Sequence, residues 1–250
     1  MKTKRLTFIA LVAGLCAGPL LSWSLASAAA SQNPDTTMPQ NQALTDRQQA
    51  ILPIGALTAT GDMPRLEEAL NHGLDAGLTV NEIKEVLVQM YAYAGFPRSL
   101  NALNTFMAVL QQRQTQGLSD PEGPTSGPVP DPAQMLEVGT ANQTKLAGSP
   151  VSGPLFDFAP AVDEYLKSHL FGAIFARDNL DWQARELATV GALTALEGVE
   201  SQAQAHMRIS LNAGLTEAQL RHAAEVLRSR VSGQAGERAS QALKRHLETQ

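Results

Sequence analysis

Proton-transfer chemistry without a cofactor needs an acid–base pair and a cation to hold an anionic substrate. The C-terminal part of this chain supplies both. Glu186 and His206 are the candidate proton-transfer groups, since carboxyl and imidazole are the usual side chains for that role. Arg185 and Arg208 are the candidate substrate holders, because a guanidinium suits bidentate binding of a carboxylate. Glu186 has Val190 and Leu193 four and seven residues on, which turns it toward an apolar helix face and desolvates it in part. The residues alone leave two readings open for it: an acid–base group, or an ion-pair partner of Arg185 or a lysine. His206 stands mid-helix among Ala203, Ile209 and Ser210, where a histidine is either functional or simply packed. Tyr91 and Tyr93 are two residues apart, so they cannot share a helix face. One belongs in the core and the other can face a pocket. His169 reads as a packing residue before it reads as a second acid–base group. Phe96-Pro97 reads as a helix end.

Composition narrows the chemistry further. The chain has five histidines, none in an H-x-x-x-H spacing, so no metal is expected. No cofactor is expected either. Cys16 is the single cysteine, and it lies in a segment that reads as a secretory signal peptide over residues 1–30. Lys2, Lys4 and Arg5 form a positive start, Leu6–Leu21 is mostly apolar, and A-x-A sites follow at Ala26–Ala28 and Ala28–Ala30. The expected product starts near Ala29 or Ser31, is periplasmic or secreted, and keeps no membrane anchor. Removing the three cations takes the formal charge from −5 to about −8. Such a chain lacks the basic footprint that nucleic-acid binding requires.

The elements that must position these residues come in two copies. The words GALTA and AGLT each occur twice, at Gly55–Ala59 and Gly191–Ala195, and at Ala76–Thr79 and Ala213–Thr216. In AGLT the glycine suits the left-handed position that ends a helix. The threonine then opens the next helix with a capping box, Thr79 with Glu82 and Thr216 with Gln219. Ile83, Val86, Leu87 and Met90 repeat as Leu220, Ala223, Ala224 and Leu227, the apolar stripe of a buried helix. Ala50 stands where Glu186 repeats, and Ala69 where His206 repeats. The expected organisation is a signal peptide (1–30), a flexible leader (31–44), a first repeat (45–113), a Pro- and Gly-rich linker (114–150) and a second repeat (151–250). The fold class is all-α, two tandem repeats of antiparallel helical hairpins, with no strand signal.

These words, HGLDAGLTVNEIKEVLVQMYAYAGFPRSLNAL in the first copy and HLFGAIFARDNLDWQARELATVGALTAL with QAHMRISLNAGLTEAQL in the second, resemble the carboxymuconolactone decarboxylase family, which includes the alkylhydroperoxidase-D-like proteins. The resemblance implies an all-α oligomeric fold. A homo-oligomer is expected, a trimer so that six repeats close a ring. The decarboxylase branch keeps an Arg-Glu pair, matched by Arg185 and Glu186, and a histidine before the AGLT corner, matched by His206. The peroxidase branch uses a C-x-x-C pair, whose positions fall near Val199 and Gln202 here. Without a thiol there is no thiolate cycle. The expectation is therefore an exported decarboxylase-like enzyme acting on a small carboxylated lactone or organic acid. Glu186 and His206 serve as the acid–base pair, Arg185 or Arg208 binds the carboxylate, and Tyr91 and Tyr93 line the pocket. The alternative is a non-catalytic oligomeric binding or scaffold protein that keeps the fold alone.

Overall fold

The computed structural model describes residues 43–249. The expected signal peptide and nearly all of the leader lie outside them. Among the described residues all regular structure is helical. The first copy contributes α1 (Asp46–Thr60), α2 (Met63–Asp75), α3 (Val80–Gln89), the single turn α4 (Tyr91–Ala94) and α5 (Phe96–Thr115). Next come α6 (Met135–Ala147) and two short helices, α7 (Pro154–Phe158) and α8 (Pro160–Glu164). The second copy follows with a π-helix (Tyr165–Ile174), then α9 (Trp182–Ala195), α10 (Glu200–Asn212), α11 (Glu217–Arg230) and α12 (Gly233–Glu248).

Helices α1 and α9 form the centre. Every residue from Ala50 to Ala59 is buried, as is every residue from Ala184 to Thr194. A helix buried on all sides belongs inside a core rather than on its surface. The two GALTA words explain how the pair packs. A Cβ added at Gly55 would collide with the carbonyl oxygen of Ala188, and one added at Gly191 would collide with that of Leu52. The contact is reciprocal, because Leu52 repeats as Ala188 and Gly55 repeats as Gly191. Reciprocity of this kind is the mark of an isologous, two-fold-like interface, here within one chain.

Both AGLT corners form as the residues dictate. Gly77 and Gly214 take left-handed backbones, with φ of 89° and 101°. Thr79 and Thr216 each close a reciprocal capping box, with Glu82 and Gln219. A third box, Thr45 with Gln48, opens α1.

Two expectations need correction. The stretch 114–150 is not a free linker. Its second half is α6, which packs Leu146 into a small cluster with Leu170, Phe171, Ile174, Phe175 and Ile209. Its first half is a strap over the start of α3. Val80 N–H donates to Pro121 O (3.0 Å), Asn81 N–H to Glu122 O (2.9 Å), and the Asn81 amide to Gly123 O (3.0 Å). The strap satisfies helix-start donors that have no partner within the helix. Phe96-Pro97 likewise begins a helix instead of ending one. Proline is tolerated in the first turn, where its missing N–H costs nothing, and α5 starts there.

Candidate active site

Helices α9 and α10 form an antiparallel hairpin, and the turn between them is braced from α12. Arg238 donates to Thr194 O (3.3 Å) and pairs with Glu197 (2.9 Å). The hairpin brings Glu186 and His206 together. Glu186 Oε2 lies 2.7 Å from His206 Nδ1, with Glu186 fully buried and His206 nearly so. When the carboxylate is ionised, Nδ1–H donates to it and Nε2 is left as the base; when it is protonated the roles reverse. Such a pair fixes the imidazole and can pass a proton in either direction.

The remaining wall comes from the other copy. Tyr93 of α4 meets His206 edge-on, with ring centroids 5.7 Å apart and planes at 78°. Its hydroxyl is buried beside Thr189, and Glu186 Oε1 and Ser210 Oγ are buried without a hydrogen-bond partner among the described residues. Burial, and then the nearby charge of Glu186, push the Tyr93 hydroxyl well above the ordinary phenol range. It therefore stays a neutral donor. Buried polar atoms without partners cost free energy, so their presence around one acid–base pair marks a polar interior rather than a closed hydrophobic one.

Tyr91 goes elsewhere. It stacks on Phe96 (4.4 Å between centroids, 8° between planes) and meets the exposed His169 at 5.5 Å.

The two arginines are not where a substrate holder must be. Arg185 is fully buried and already paired. Its Nη2 donates to Glu85 Oε1 (2.9 Å) and to Arg177 O (2.9 Å), and its Nη1 donates to Gln89 Oε1 (3.0 Å). Gln89 returns a bond to Arg185 O (2.9 Å) and reaches Thr189 Oγ1 (2.9 Å). This network, joined by Arg177 and Asn179 on Glu85, locks α3 of the first copy to α9 of the second. Burial works to raise the Glu85 pKa, but hydrogen bonds from Arg177, Arg185 and Asn179 and the charge of Arg185 outweigh it and hold it below its ordinary value. Arg185 thus binds protein, not substrate. Consecutive helix residues point about a quarter-turn apart or more, and that is enough to send Arg185 and Glu186 into different environments. Arg208, two positions beyond His206, is exposed and lines a separate groove with Ser201, Gln204, His246 and Thr249.

Sequence reasoning missed Glu85 and Gln89. A signal existed: two polar residues one turn apart on a helix whose other inward positions are apolar.

A family model for the carboxymuconolactone decarboxylase family matches residues 26–106 and again residues 160–245. The chain belongs to the carboxymuconolactone decarboxylase family. No curated protein matches it at a significant level. The two matches cover most of the two helical copies, and α6 and α7 fall between them. In this family member Glu186 and His206 both lie in the second matched region, while Tyr93 lies in the first.

Proposed function

We propose that this chain is a cofactor-free acid–base enzyme that decarboxylates a small carboxylated lactone or related organic acid. The observation that carries the reading is the 2.7 Å contact between His206 Nδ1 and the fully buried Glu186, set against Tyr93 from the other copy. In the reaction the bond from carbon to the carboxylate breaks, CO2 leaves, and the electron pair passes into the conjugated system as an enolate. His206, oriented by Glu186, delivers a proton to carbon and is reprotonated from solvent. The Tyr93 hydroxyl is a neutral donor suited to a developing enolate oxygen.

Thiol peroxidase chemistry is disfavoured because Cys16 is the single cysteine and Val199 and Gln202 occupy the C-x-x-C positions. Among the described residues no arginine forms an ion pair with Glu186, and that favours the second reading, a binding or scaffold protein. Purified protein incubated with a panel of lactones and β-keto acids, with CO2 measured, separates the two: enzymatic release supports the first, and none from any member supports the second.

Export and assembly belong to the same reading. Cleavage near Ala28 to Ala30 is checked by mass spectrometry of the natural product, where an intact Met1 would overturn it. Self-association is supported by α5, which exposes Phe96, Leu100 and Met107 along one face, a stripe a lone chain leaves in water. A trimer is expected in light scattering; a monomer at micromolar concentration would count against it.

A further inference from the structure

The internal two-fold that relates α1 to α9 generates a mate for every feature of the acid–base site. Glu186 maps to Ala50, His206 to Ala69, Thr189 to Pro53 and Tyr93 to Arg230. Three of these four mates, Pro53, Ala69 and Arg230, line one groove of about 400 Å³ together with Leu57, Arg65, Glu68 and His72. The groove is thus the acid–base site's counterpart, made from the first copy's α1 and α2 and the end of the second copy's α11.

Its chemistry has been inverted. Alanines stand at the positions of the proton-transfer pair, and one of them, Ala69, lines the groove with Pro53 and Leu57 as an apolar floor. An arginine has replaced the tyrosine. Arg230 Nη1 lies 3.1 Å from His72 Nε2, and among the described residues Arg230 forms no ion pair. Arg65 fixes the end of α11 that carries it, with Nη2 donating to Arg230 O (2.8 Å) and Val231 O (2.8 Å). Arg65 itself is balanced by Asp62, 3.6 Å away. Glu68 also lines the groove and repels a second negative charge there, which favours a monoanion over a polyanion. A guanidinium beside an apolar floor in a groove this size fits a small monocarboxylate with a hydrocarbon body.

We propose that this groove is a second binding site, for a small organic monocarboxylate held by Arg230 over Pro53, Leu57 and Ala69. It binds without performing chemistry, because no proton-transfer pair stands in it. The proposal does not depend on turnover at Glu186 and His206.

Calorimetric titration with benzoate, and with benzamide as its neutral counterpart, tests it. Benzoate should bind with a dissociation constant in the millimolar range or below, and benzamide about tenfold more weakly, the order of one charge-assisted hydrogen bond. Arg230→Gln should weaken benzoate about tenfold. Ala69→Leu should block it by filling the floor, with an unchanged helical circular-dichroism spectrum. Arg221→Gln, which removes an exposed cation of α11 paired to Glu217, should leave binding as it was. Benzoate that fails to bind at tens of millimolar overturns the proposal. So does benzoate binding that survives both Arg230→Gln and Ala69→Leu, since the ligand would then sit elsewhere.

Discussion

The two related sites differ in what they can do, although one helical plan builds both. The second-copy site holds Glu186 and His206 in contact, with a neutral tyrosine sent across from the first copy. The first-copy pocket holds alanines at both positions, and an arginine is sent across instead. The backbone relation survives at the centre in the reciprocal Gly55 and Gly191 contacts, while Tyr93 sits on the separate turn α4 and Arg230 ends the unbroken α11. Two crossing helices require these glycines, because any Cβ there meets backbone. Alanine cannot transfer a proton, and a tyrosine cannot hold a carboxylate as a guanidinium does, so one chain can divide catalysis and anion binding between two sites.

The same asymmetry holds at the seams between copies, and breaking them gives the largest expected effect. Glu85 neutralises the fully buried Arg185. Glu85→Gln should cost about 3–5 kcal/mol in denaturant unfolding, because an unpaired charge is left inside. Its counterpart His222 accepts one bond among the described residues, from Leu44 N–H (3.0 Å), and His222→Ala should cost about 1 kcal/mol. Equal losses would remove this contrast.

The Glu85 seam also has a pH signature. Its folded pKa lies below the ordinary value of 4.5. The stabilisation from this group is therefore fully present above about pH 4.5 and is lost as pH falls through the depressed value. Thermal midpoints of the wild type and Glu85→Gln should converge on acidification, and a gap that stays constant would contradict the assignment.

The glycine contacts should instead behave alike. Gly55→Ala and Gly191→Ala should each cost about 1–3 kcal/mol by overpacking, with similar midpoints in urea. A large difference between the two would show that the internal two-fold is only approximate at its centre. The smallest effect is expected at Tyr93. Tyr93→Phe removes a buried hydroxyl beside Thr189, whose Oγ1 already bonds Gln89 and Arg185 O, and chemical denaturation should show a change within about 0.5 kcal/mol.

Much of this plan was legible before the structure. The AGLT corners and their capping boxes depend on residues within four positions of one another, and local rules read such contacts well. Glu186 and His206 were singled out through the family resemblance, and their 2.7 Å contact emerged only with the α9–α10 hairpin. The fate of Arg185 was not legible, because it is decided by Glu85 and Gln89 on α3, far away in the chain. The helix α6 was hidden for a related reason. It follows a run of prolines, and its burial rests on contacts with the π-helix and α10 instead of on a strong apolar stripe of its own. The groove at Arg230 was not legible, because it joins α1 and α2 to the distant end of α11, although Ala69 in place of a histidine could be read from the two repeats.

The central claim is that the second-copy pair performs the chemistry, and CO2 release by the Glu186→Gln and His206→Ala variants tests it most directly. On the substrate that the wild type turns over, each variant should lose roughly 100-fold or more of kcat/KM while its circular-dichroism spectrum stays that of the wild type. Turnover at the wild-type rate in both folded variants would contradict the account.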